Sequence, residues 1–243
     1  MALLADAGDA LSAMLEILPA AQQARDDWCQ YAIDTYNGWR TEQSEKAESP
    51  SEGVHPARVM ESAGEVVSDD ALISLDVGDS ALWFGAHFPA KSQEVLVSGM
   101  WRTLGFALPA ALSGQIAYPD RPVLAVTGDA GFLGSASELT SAVKHQLPVV
   151  VLVLDNRKMA IEEHEQMKMG IEPTEVRMPK NLPLAGVAQS LGADAFSVQM
   201  AQEMRSALQQ AFNNRRPAVI EVPVQAPAPP EVRRQIDQIM YQQ

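Results

Sequence analysis

The stretch VLAVTGDAGFLGSASELTSAVKHQLPVVVLVLDN, residues 123–156, decides the fold. It opens and closes with continuous apolar runs, and a glycine-rich turn followed by a helical pattern lies between them. Continuous apolar runs are typical of strands covered on both faces, and a helix is the usual connection between two parallel strands. The stretch therefore predicts a strand–helix–strand unit with parallel strands.

The sequence on either side of this stretch repeats the alternation. Apolar runs predict strands at 71–75, 94–97, 122–127, 148–154, 195–198 and 218–222. Helical spacing predicts helices at 57–67, 103–118, 135–146, 184–191 and 201–212. This order of elements indicates an α/β fold, a doubly wound parallel sheet with helices on both faces.

The N-terminal part of the chain has a different pattern. Apolar residues recur at helical spacing behind Asp9, which we expect to cap an amphipathic helix, and a second helix is expected from about residue 21 to Tyr36. The polar stretch that follows lacks a periodic apolar face and is typical of a linker. The expected organisation is a helical extension at 1–36, a linker at 37–56, an α/β domain at 57–223 and a C-terminal tail at 224–243 that ends in a peripheral helix.

Composition excludes several kinds of partner. The 243 residues include 18 Lys+Arg and 31 Asp+Glu, a net charge of −13, which is the wrong sign for binding nucleic acid. The longest apolar stretches, such as 149–154, are far shorter than the roughly 20 residues of a transmembrane helix, so none is expected. A single cysteine, Cys29, allows no internal disulfide, and a reducing cytoplasm fits best.

Two polar residues follow consecutive strands of the opening stretch, namely Asp129 after the first and Asn156 after the second. Ligands of parallel sheets bind at the carboxyl ends of the strands, where we expect these side chains to lie side by side. The glycine turn alone could be only a tight turn. A carboxylate and an amide oxygen suit Mg²⁺, however, which completes its coordination with water and phosphate oxygens. The pair therefore predicts a diphosphate bound through a metal.

These motifs carry a family resemblance. GDAGF, the 27-residue step from Asp129 to Asn156, and the intervening SELTSAVKHQLP resemble the thiamine diphosphate and magnesium motif of the pyruvate oxidase and acetolactate synthase family. Upstream, ISLDVGDSALW and VSGMWRTLGFALPAALSGQIAYPDRPVLAVTGDAGF resemble its C-terminal, diphosphate-binding domain, and the similarity covers residues 54–230. The resemblance implies a thiamine diphosphate-binding fold, thiamine diphosphate and Mg²⁺ as cofactors, and a 2-oxo acid substrate such as pyruvate.

The resemblance also assigns roles to matching residues. It makes the side chains of Asp129 and Asn156 and the carbonyl of Lys158 the metal ligands. It places Asp79, Ser80, Gly128, Ala130 and Gly131 near the diphosphate, and Arg102, Thr103, Leu104 and Ile161 near the rings and the substrate. The Arg102 carbonyl would accept a hydrogen bond from the 4′-amino group, and Leu104 would hold the two rings bent. Glu165 is the candidate catalytic residue, although charges at the start of a helix are usually a solvated first turn.

In this family a glutamate from a separate N-terminal domain, usually of a neighbouring subunit, activates the cofactor. We expect no such domain here, because the first residues instead resemble the end of the family's middle domain. The chain is therefore expected to be the cofactor-binding part of a decarboxylating oxidase or synthase, to be inactive alone, and to belong to a homo- or hetero-oligomer. Any FAD would bind to domains absent from this chain. The alternative is a non-catalytic α/β module that keeps the fold and serves binding or assembly.

Overall fold

The computed structural model describes residues 4–18, 23–46, 53–179 and 181–227. The chain divides into two compact units, 1–43 and 44–243. The first unit contains α1 (Ala7–Ile17) and most of α2 (Gln23–Lys46). Asp6 caps α1 instead of the expected Asp9, because its carboxylate accepts hydrogen bonds from the N–H groups of Gly8, at 2.8 Å, and Asp9, at 3.3 Å.

The structure shows that the predicted linker, 37–56, is shorter than expected at both ends. The second helix does not end near Tyr36 but continues to Lys46. Arg, Glu, Gln and Lys are good helix formers, so this segment forms a helix without a regular apolar face. At the other end, Val54 is buried and its N–H donates to the carbonyl of Pro223 at 2.9 Å. Residues 47–52, and the predicted terminal helix beyond 227, lie outside the described residues.

The second unit is built on six parallel strands in the order β2-β1-β3-β4-β6-β5. The strands are β1 (Leu72–Leu75), β2 (Glu94–Val97), β3 (Val123–Gly128), β4 (Val149–Asp155), β5 (Asp194–Ser197) and β6 (Ala218–Pro223). All six were predicted, and no boundary differs by more than one residue. The chain crosses from β1 to β2 in one direction and continues from β3 in the other, so the sheet is doubly wound.

Helices cover both faces of this sheet. They are α3 (Pro56–Val66), α4 (Asp79–His87), α5 (Ala107–Ala117), α6 (Asp129–Ser135), α7 (Leu139–Lys144), α8 (Ala160–Lys168), α9 (Leu184–Ser190) and α10 (Ala201–Asn214). Leu124 of β3 belongs to one apolar core with Met60 and Leu208, whereas its neighbour Val123 belongs to a second core with Leu108. This alternation gives the sheet an apolar core on each face and confirms the predicted fold class. Among the described residues, no helix is long and apolar enough to cross a membrane.

Two short helices were not predicted, and a third was predicted only in so far as Glu165 was read as a charge near the start of a helix; all three follow strands at the same end of the sheet. They are α4, α6 and α8, which have seven to nine residues each. Helices this short contain too few apolar positions to show a period. The segment read as a glycine turn and loop after β3 is thus α6, which continues through a single 3₁₀ turn into α7. Conversely, the helix expected from 103 begins at Ala107, because Gly105 has a φ of +86°.

Candidate functional site

A cavity of about 550 Å³ lies at the carboxyl ends of β1, β3 and β4. It adjoins the point where the chain reverses direction across the sheet, which is where ligands of such folds bind. Eleven of the predicted site residues line it, and they come from four separate segments of the chain. These residues are Asp79, Ser80, Arg102, Thr103, Leu104, Gly128, Ala130, Gly131, Asn156, Lys158 and Ile161.

Asp129 is buried between two of these lining residues, Gly128 and Ala130. One carboxylate oxygen, Oδ1, accepts a hydrogen bond from the N–H of Ala130 at 2.8 Å. The other, Oδ2, is buried without a hydrogen-bond partner. Burial raises the pKa of Asp129, while the Ala130 N–H and the neighbouring Asp155 and Arg157 oppose the rise. The carboxylate therefore faces the loop after β4, as the sequence predicts for adjacent strand ends.

That loop is a tight turn closed by Asn156. The side-chain oxygen of Asn156 accepts a hydrogen bond from the N–H of Lys158 at 3.1 Å, and Arg157 between them has a φ of +58°. The turn is tied to a later segment, since the N–H of Met159 donates to Val176 and that of Met178 donates to Arg157, both at 2.8 Å. Asn156 and Lys158 are thus held at the cavity wall beside Asp129.

Asp155, which the sequence analysis did not select, adds a second buried carboxylate. Burial raises its pKa to about 7, Arg157 opposes the rise, and Asp129 and Glu221 add to it. The signal in the sequence was the acid that ends the apolar run VVVLVL, directly before Asn156. The strand register, which pairs Gly128 with Leu154, makes Asp129 and Asp155 the next neighbours. Two buried carboxylates this close repel each other when both are ionised, and the Arg157 guanidinium, which pairs with Asp155 at 2.5 Å, offsets part of that cost.

These donors fit a magnesium ion. A buried carboxylate oxygen of Asp129 has no partner, and Asn156 lines the cavity, whereas Asp129 itself lies behind the lining residues Gly128 and Ala130. Within the described ranges, no three His, Cys, Asp or Glu side chains gather as metal ligands. A metal at this position would therefore also need amide and main-chain oxygens, which Mg²⁺ accepts.

Asp76 is a second residue that the sequence analysis missed. It is 1% exposed, and its carboxylate accepts hydrogen bonds from the N–H of Gly105 at 3.0 Å, the N–H of Val77 at 2.9 Å and the hydroxyl of Thr127 at 2.9 Å. These bonds connect the ends of β1 and β3 to the segment that carries Arg102 and Leu104. An acid directly after the buried run LISL was the signal for such a role.

The structure does not bring Glu165 into the cavity. Its side chain is 52% exposed and pairs with Lys168 at 2.6 Å, as expected of a solvated charge on a helix. Glu162, one turn earlier in α8, lines the cavity instead. The catalytic role of Glu165 remains a prediction that its position does not favour.

Asp79 gives the site a pH dependence. Burial raises its pKa to about 6, and the charge of Lys158 opposes this rise. An acid whose pKa is raised in the folded chain stabilises the fold fully at pH values below its pKa in the unfolded chain, which is near 4. This contribution is lost as the pH rises through 6. We therefore expect Asp79→Asn to stabilise the unliganded chain by about 1–2 kcal/mol at pH 8, with the difference vanishing near pH 4. Urea unfolding of both proteins between pH 4 and pH 8 measures this effect. An equal difference in the free energy of unfolding at pH 4 and pH 8 would contradict the prediction.

Comparisons with known proteins identify the family of this chain. Residues 76–222 match the family described as "Thiamine pyrophosphate enzyme, C-terminal TPP binding domain". The chain is 33% identical to the putative thiamine pyrophosphate-containing protein YdaP of Bacillus subtilis, over 69% of this chain and 29% of that protein. It is 31% identical to the large subunit of acetolactate synthase isozyme 3 of Escherichia coli, over 86% of this chain and 38% of that protein.

A solved structure gives the same result. The thiamine diphosphate-dependent 4-hydroxybenzoylformate decarboxylase of Rhodococcus jostii RHA1 aligns with a TM-score of 0.67 at 25% identity, over 74% of this chain and 34% of that chain. The fold and the family match identify a thiamine diphosphate-binding domain. The chain belongs to the thiamine pyrophosphate enzyme family and matches its C-terminal cofactor-binding domain. It spans about a third of the length of these relatives.

Proposed function

We propose that this chain is the thiamine diphosphate- and Mg²⁺-binding part of an enzyme that decarboxylates a 2-oxo acid such as pyruvate. The enzyme is pyruvate oxidase-like or acetolactate synthase-like, and a domain or subunit carrying an activating glutamate completes it in an oligomer. Any flavin of an oxidase-like reaction binds outside this chain. The compartment we propose is the cytoplasm, on the ground of the single cysteine.

The observation that carries this proposal is the arrangement of Asp129 and Asn156. The two residues follow paired parallel strands, and Asp129 presents a buried carboxylate oxygen without a partner beside the Asn156 turn. An oxygen of this kind is costly unless a cation or a donor meets it. Mg²⁺ held there would complete its coordination with water and with phosphate oxygens of the cofactor.

The rest of the cavity supports the same assignment. The small residues Gly128, Ala130 and Gly131 leave room at the end of β3 for a diphosphate. Leu104 is 41% exposed at the cavity wall, where its side chain can pack against the cofactor rings and hold them at an angle. When bound, thiamine diphosphate supplies a carbon nucleophile and an electron sink for decarboxylation. The chain's own task is to bind and orient that group.

The proposal makes a prediction about the purified chain. We expect it to bind thiamine diphosphate weakly and only with Mg²⁺, and to decarboxylate pyruvate negligibly, because the activating glutamate comes from another domain. Calorimetry with and without Mg²⁺ measures the binding, and CO₂ release measures the reaction. Brisk turnover by the chain alone would contradict the incompleteness. If no binding occurred even with the missing domains supplied, a non-catalytic module would be favoured instead.

A further inference from the structure

Lys158 is one of the residues that line the cavity. The side chain of Lys158 is 20% exposed. Among the described residues that line the cavity, Lys158 and Arg102 are the two that carry a positive charge. Arg102 lies on the exposed segment with Leu104, at the end assigned to the cofactor rings. Lys158 instead follows Asn156, at the end assigned to the diphosphate.

The Lys158 ammonium forms an ion pair with Glu163 of α8. Glu163 is buried, with a side-chain exposure of 7%, and its second contact is Arg177, whose Nε lies 3.5 Å from Oε1. An ion pair at such a site fixes the lysine side chain against the wall. The lysine is therefore already ordered beside the space that a ligand would fill.

Asp79 shares this part of the cavity. Its Oδ1 is buried without a hydrogen-bond partner, and the charges of both Lys158 and Glu163 act on it. A diphosphate entering here would meet a wall formed by Asp79, Glu162 and Lys158, with Glu163 paired to the lysine from outside the lining residues. Without the ammonium the wall would repel the diphosphate, since like charges in a partly buried site interact strongly.

We propose that the Lys158 ammonium binds a phosphate of the diphosphate directly, and that Glu163 holds it at the cavity wall until the diphosphate enters. This inference rests on the proposed function, because it concerns the same ligand. Glu163 and the diphosphate then compete for one cation. Loss of the lysine charge must weaken diphosphate binding, whereas loss of the Glu163 charge must strengthen it.

Calorimetry on the full chain with Mg²⁺ tests this with two probes, thiamine diphosphate and inorganic pyrophosphate. We expect Lys158→Met to weaken both by about tenfold or more, the loss typical of a charge-assisted contact, and Lys158→Arg to keep most of the affinity. Glu163→Gln should tighten both by about threefold or more. Arg177→Met is the matched control, because it removes an exposed charge from the same carboxylate, and we expect less than about a twofold change.

The opposite affinity changes expected for Lys158→Met and Glu163→Gln distinguish this role from a structural one. If Glu163→Gln weakened binding as Lys158→Met does, the ion pair would have only a structural role, and the inference would be wrong. Unchanged affinity in Lys158→Met would also overturn it, while the proposed function would stand as long as the wild type binds with metal. A wild type without metal-dependent binding would overturn both. Thermal unfolding shows whether each variant is folded. If Lys158→Met does not fold, the direction of the affinity change in Glu163→Gln still tests the inference.

Discussion

Asp129→Ala is expected to abolish the magnesium-dependent binding of thiamine diphosphate, with a fall in affinity of more than about 100-fold. The reason is that this carboxylate is the anionic ligand of the proposed ion, and the ion is the main link to the diphosphate. The fold should survive, because the negative charge of Asp129 raises the pKa of Asp155, and its removal makes the burial of the Asp155 carboxylate less costly. Calorimetry with and without Mg²⁺, together with thermal unfolding, measures both effects.

The control for this experiment is Asp69→Ala. Asp69 is exposed, pairs with Lys91 at 3.0 Å and precedes β1, at the opposite edge of the sheet from the cavity. We expect the Asp69→Ala variant to bind the cofactor as the wild type does, since exposed ion pairs contribute little to stability. If Asp129→Ala retained metal-dependent binding, the proposed metal site would be wrong.

Gly131→Ala is expected to cause the largest loss of stability, about 2–4 kcal/mol. A Cβ at this position would meet the hydroxyl of Thr127 at 2.5 Å and Oδ2 of Asp76 at 2.6 Å. These two groups bond to each other at 2.9 Å, and Asp76 also holds Gly105. The methyl group must therefore disrupt the contact that positions the segment with Arg102 and Leu104.

Gly134→Ala is the matched control in the same helix. A Cβ there meets nothing within 4 Å, and alanine favours a helix over glycine by about 1 kcal/mol. Urea unfolding should show one variant destabilised and the other unchanged or stabilised. Equal stability of the two would contradict the role assigned to the Asp76 contacts.

The sheet could be predicted from the sequence because its central strands are buried on both faces. Each residue of β4, Val149–Asp155, is buried, and six of its seven residues form an unbroken apolar run. The helices next to the cavity could not be predicted. In α8, AIEEHEQMK, the buried residues include Glu163 and His164, whose burial depends on Lys158 and other tertiary neighbours rather than on an apolar period.

The same contrast holds within the site. Asp129 and Asn156 were found because both directly follow a recognisable strand. Asp76 was missed because its role appears only when Gly105 and Thr127, 29 and 51 residues away in the sequence, meet it in space. The acid directly after the run LISL marked the position, but its partners are set by the tertiary fold and could not be read from the local pattern.

The central claim is that Asp129 and Asn156 share one divalent ion that binds the cofactor's diphosphate. A crystal structure of the chain with thiamine diphosphate and Mn²⁺, which stands in for Mg²⁺ and is located by anomalous scattering, tests it most directly. The account predicts one anomalous peak bonded to side-chain oxygens of both residues and to the diphosphate. A peak elsewhere in the cavity, or a bound diphosphate with no metal contact to Asp129, would contradict it.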